Sequence, residues 1–85
     1  MSMTADGAIQ SAVRRAVVDV TSRDERLRVT HTIARTGWGD VLYVEVYARS
    51  RQGTLDDLDP ELRKIVSVVA DQPFERVAIR WRISH

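Results

Sequence analysis

Eighty-five residues is the length of one domain, here residues 1–85, and 13 Lys and Arg against 12 Asp and Glu leave a net charge of +1. That balance is too even to argue for nucleic acid from charge alone. The absence of cysteine excludes disulfides and thiolate metal sites and suits a reducing cytoplasm. No apolar run approaches the roughly 20 residues of a membrane span, and the N-terminus carries no secretory pattern, so the expectation is a cytoplasmic chain with no direct membrane insertion.

Residues 1–6 read as a flexible tail, with Thr4 or Asp6 able to cap the first helix. From Gly7 to about Thr21, Ile9, Ala12, Val13, Ala16, Val17 and Val20 form the stripe of an amphipathic helix. Its several valines have weak helix propensity, so packing must hold it. After the polar connection Ser22 to Arg26 comes LRVTHTIAR, Leu27 to Arg35. Alternation puts Leu27, Val29 and Ile33 on one face with His31 in the same row, and Arg28, Thr30 and Thr32 on the other. TGWGD, Thr36 to Asp40, holds two glycines in a five-residue connection and reads as a hairpin turn.

Val41 to Arg49, VLYVEVYAR, alternates strictly and is the clearest strand of the chain. Leu42, Val44, Val46 and Ala48 point one way; Tyr43, Glu45, Tyr47 and Arg49 point the other. A loop with Gly53, Asp56, Asp57 and Asp59 comes next. Asp59-Pro60-Glu61 then predicts a helix start, with Asp59 as cap and Pro60 as first helical residue. Leu62, Ile65, Val66 and Val69 carry that helix to about Ala70, where Asp71 to Pro73 breaks it. In the closing run FERVAIRWRIS, Val77, Ile79, Trp81 and Ile83 share one face and Ala78, Arg80, Arg82 and Ser84 the other.

The order α-β-β-α-β predicts an α+β fold, a two-layer sandwich with a three-stranded mixed sheet and both helices on one face. The last two strands, joined through a helix, are expected to be parallel if they are neighbours. A chain this short buries about 60–65% of its unfolded surface, so self-association is a common remedy.

The uncovered face, with Tyr43, Tyr47, Arg49, Arg80 and Arg82, is the candidate interaction surface. Tyrosines among arginines on a bare sheet suit base stacking and phosphate contact. They suit a protein interface better, and a plain solvated face is the first reading. Glu45 in mid-face and the balanced charge weigh against nucleic acid. His31, in an apolar row without ligating neighbours, reads as a structural histidine in preference to a metal ligand. Asp56, Asp57 and Asp59 read as a solvated loop and a helix cap in preference to a weak divalent-cation site. Trp38 either folds back on the sheet edge, the favoured reading, or protrudes toward a partner. No nucleophile–base pair or phosphate loop is present, so neither catalysis nor a cofactor is expected.

The text AIQSAVRRAVVDV, RLRVTHTIARTG, VLYVEVYARS, LDPELRKIV and RVAIRWRI resembles the C-terminal cytoplasmic domain of cation diffusion facilitator (cation efflux) transporters over nearly the whole chain. The resemblance implies a metallochaperone-like, ferredoxin-like fold, homodimerisation, a regulatory role and association with a membrane transporter. It also implies metal-binding histidines near Val29, Tyr47 and Arg80, where this chain has none. His31 stands two residues from the first of these. The expected function is therefore a non-catalytic dimerisation or regulatory module without the metal site. The alternative is a nucleic-acid-binding module using the Tyr/Arg face.

Overall fold

The computed structural model describes residues 7–51 and 57–84. The tail with its cap candidates Thr4 and Asp6, and Gly53, Asp56 and His85, lie outside the described residues. Helix α1 spans Gly7–Thr21, strand β1 Leu27–Thr36, strand β2 Leu42–Ser50, helix α2 Leu58–Val69 and strand β3 Val77–Ser84. The sheet order is β1-β2-β3, with β1 antiparallel to β2 and β2 parallel to β3. Both helices pack on one side of this mixed sheet, which makes an α+β fold of the expected order α-β-β-α-β. Among the described residues no helix is long and apolar enough to cross a membrane.

The two apolar stripes and the inward rows of the strands meet in one core. Val13 and Val17 from α1 and Leu62 and Val66 from α2 pack on Leu42, Val44, Val46 and Val77 of the sheet, all fully or almost fully buried. Each such side chain contributes on the order of 1.5–3 kcal/mol relative to exposure. A smaller cluster of Leu27, Ala48 and Leu58 extends the core toward the Ser50 end of β2. Thr21 closes α1 by donating its hydroxyl to the Val17 carbonyl at 2.7 Å, which satisfies a buried polar group. Gln10 of α1 accepts the Ala34 amide at 2.9 Å, covering a donor of β1 that the strand partner does not use.

Strand β1 departs from strict alternation. Val29 pairs with Ala48 and His31 with Tyr47, so Thr30 is an extra residue, a β-bulge. Its hydroxyl donates to the Tyr47 carbonyl at 3.2 Å. Beyond the bulge the faces exchange. Thr32 and Ala34 turn to the helices and are buried, while His31, Ile33 and Arg35 turn to the uncovered face. The expectation that His31 and Ile33 share the row of Leu27 and Val29 is thereby corrected, as is the outward placing of Thr32.

Two further corrections concern α2. It begins at Leu58 with Asp57 at the N-cap position and no side-chain capping bond, so Asp59 is not the cap. Asp59 instead accepts the Trp81 indole N–H at 3.0 Å, tying the first turn of α2 to β3. The helix ends in a Schellman arrangement. The Gln72 amide bonds the Ser67 carbonyl at 2.9 Å and the Asp71 amide the Val68 carbonyl at 3.2 Å. Asp71 holds a left-handed φ of 55°, where glycine is usual.

Candidate functional site

Strand register decides what the uncovered face presents. Reading across β1, β2 and β3, its rows are Arg28–Arg49–Ser84, His31–Tyr47–Arg82, Ile33–Glu45–Arg80 and Arg35–Tyr43–Ala78. The sequence-selected Tyr43, Tyr47, Arg49, Arg80 and Arg82 therefore do share one surface. The bulge adds His31, Ile33 and Arg35 to it, and register adds Arg28.

Three rings stand on this surface. The His31 and Tyr47 rings lie 5.8 Å apart between centroids, tilted by 50°. Tyr43 lies against the turn, so close to Gly37 that a Cβ there would force its ring to shift. The turn continues as a short 3-10 segment, Trp38–Asp40, with left-handed backbone at Gly39 (φ 69°) and Asp40 (φ 59°). Trp38 does not fold back on the sheet edge as favoured: it is 92% exposed.

Glu45 is the sole carboxylate in those rows and is only 8% exposed. Arg82 donates to its Oε2 at 3.3 Å, and the Arg35 guanidinium stands 3.8 Å from Oε1, outside hydrogen-bond range. Arg80, its register partner, forms no ion pair among the described residues. Arg28 and Arg49 face each other directly, an arrangement of like charge that destabilises an isolated sheet. With Arg26 and Arg51 they line an open cleft of about 640 Å³ at that end of the sheet. A smaller cleft of about 240 Å³ at the opposite end is lined by Arg35, Thr36, Gly37, Trp38, Tyr43, Glu45 and Arg80.

A separate polar cluster sits at the start of β1. Arg26 bonds Asp24 through its Nε at 2.8 Å and Asp57 through Nη2 at 2.8 Å. Hydrogen bonds from Arg26 hold the Asp24 carboxyl at about 2 and push Asp57 below the usual carboxylate range. Arg26 itself is shifted upward by the same contacts. This cluster joins the α1–β1 connection to the cap of α2, so Asp57 works as a tether. Among the described residues no group of three or more His, Cys, Asp or Glu is placed to hold one metal ion.

Alternation had already put Arg28 on this side of the sheet, but it missed His31, Ile33 and Arg35, which the bulge turns there. The available signal was local: polar residues at 30, 31 and 32 in a row break the alternation that Leu27 and Val29 begin. No protein family, curated protein or solved structure matches the chain.

Proposed function

We propose that this chain is a non-catalytic interaction module whose working surface is the uncovered sheet face, and that the partner is single-stranded nucleic acid. The observation that carries the reading is the segregation of charge. A chain of net charge +1 gathers Arg28, Arg35, Arg49, Arg80 and Arg82 around a single carboxylate on one face. Interleaved with them are His31, Tyr43 and Tyr47, rings on which unpaired bases stack at about 1–3 kcal/mol each. Glu45 counts less against phosphate than its mid-face position suggests, because its charge is buried and balanced by Arg82 and Arg35.

The test is fluorescence anisotropy with labelled RNA and DNA oligonucleotides over a salt series. Binding that weakens with salt, with a log–log slope near −0.7 per phosphate neutralised, supports the reading. Arg80→Ala with Arg82→Ala is expected to raise Kd at least tenfold. Absence of binding at low salt overturns the reading.

A second reading is the homodimeric regulatory module similar to the cytoplasmic domain of cation efflux transporters, working beside a membrane transporter. It is supported by the shared element order and by strands β1 and β3, whose outer edges pair with no further strand among the described residues. Face-to-face self-association would set the same arginines against one another, so such a dimer must use an edge or the helices. Light scattering over a concentration series separates the two: a dimer persisting to low micromolar favours this second reading. Tyr43→Ala with Tyr47→Ala abolishes oligonucleotide binding under the first reading and leaves self-association unchanged under the second.

A further inference from the structure

We infer that the cleft between Trp38, Tyr43, Glu45 and Arg80 is a nucleobase subsite selective for guanine, an inference that rests on the nucleic-acid reading of the same face. The argument begins with size. At about 240 Å³ the cleft is below the roughly 300–1,000 Å³ that larger organic ligands need, so a single base is a fitting occupant.

Its walls are aromatic. Trp38 is held out at 92% exposure by a turn with two consecutive left-handed residues, Gly39 and Asp40. An indole so placed loses the burial that usually accounts for a tryptophan, and it offers a stacking surface at the mouth. Tyr43, braced on Gly37, supplies the second ring.

The floor is a carboxylate. Glu45 is more than nine-tenths buried, and among the described residues no donor lies within hydrogen-bond distance of its Oε1. A carboxylate only accepts. Guanine is the base whose Watson–Crick edge offers two adjacent donors, N1–H and the N2 amino group, matching both oxygens of one carboxylate. Adenine and cytosine each set a ring-nitrogen acceptor against it, and uracil offers one donor between two carbonyls. Arg80, beside Glu45 in register and free of any ion pair among the described residues, is placed to donate to guanine O6 or to the phosphate.

The experiment compares a labelled uridine heptamer with the same heptamer carrying one central guanosine, and a third carrying inosine there. The guanosine oligomer is expected to bind about tenfold tighter than the all-uridine one. Inosine, lacking the N2 amino group, is expected to lose part of that gain, a comparison that needs no variant. In Glu45→Gln, confirmed folded by circular dichroism, the guanosine-to-uridine ratio falls toward one. Equal affinities for all three oligomers in the native chain overturn the subsite and leave the face reading standing. Binding of none overturns both. A guanosine preference that survives inosine replacement and Glu45→Gln also overturns the subsite.

Discussion

His31 lies directly across from Tyr47 on the uncovered face, their ring centroids 5.8 Å apart, although strict alternation would have buried it beside Val29. The residue responsible is Thr30, which the register leaves without an opposite residue in β2. One extra residue exchanges the two faces of everything after it, and with them the character of the sheet surface.

Deleting Thr30 is expected to leave the fold intact. Removal joins Val29 to His31 and gives a regular strand in which Leu27, Val29, Thr32 and Ala34 still face the helices. Adding one residue after His31 instead drives Thr32, Ala34 and their neighbours out of register, with a loss of several kcal/mol from the exposed core. Thermal unfolding of the two variants checks this. A collapse of the deletion variant together with a stable insertion variant would refute the register.

Glu45 bears two ion pairs to arginines that are themselves half exposed, Arg35 at 59% and Arg82 at 50%. Solvent screens such partners, so the pairs fall nearer the surface class than the buried one. Glu45→Gln is expected to cost about 1 kcal/mol, not the 3–5 kcal/mol of a fully buried pair. Urea unfolding in low and high salt measures it, and the difference should shrink as salt rises.

Arg26 makes one contribution to stability depend on acid pH. In the folded chain Asp24 titrates at about 2 against an ordinary 3.8, so the unfolded chain binds that proton more readily. The stabilisation is complete above pH 3.8 and is lost as pH falls through about 2; the downward shift of Asp57 acts in the same direction. Arg26→Ala is expected to flatten the dependence of the urea midpoint on pH across that window.

Asp71 occupies a left-handed C′ position that closes α2. Asp71→Gly relieves the backbone cost there and is expected to stabilise by about 1 kcal/mol. For a domain of this size that raises Tm by roughly 4–8 °C, readable by differential scanning calorimetry. An unchanged or lower Tm would mean that the aspartate side chain contributes more than its backbone strain removes.

Periodicity alone dictated the elements and their order, because period 3.6 in Val13, Val17, Leu62 and Val66 and period 2 in Leu42 to Arg49 each have one physical solution. It also put Tyr43, Tyr47, Arg49, Arg80 and Arg82 on a shared face, since those two strands carry no bulge. The placement of His31 and Arg35 came from the folded sheet, because a bulge is selected by the fit of β1 against β2 and leaves only a faint mark in β1. The roles of Asp57 and Asp59 were settled the same way. Local propensity reads Asp57 as solvated loop and Asp59 as a cap, but Arg26 lies 31 residues before Asp57 and Trp81 lies 22 residues after Asp59. Contacts across such separations exist only once the sheet has brought their strands and α2 together. The placing of Trp38 came from the fold as well: the turn holds left-handed backbone at Gly39 and Asp40, and the indole stands in solvent.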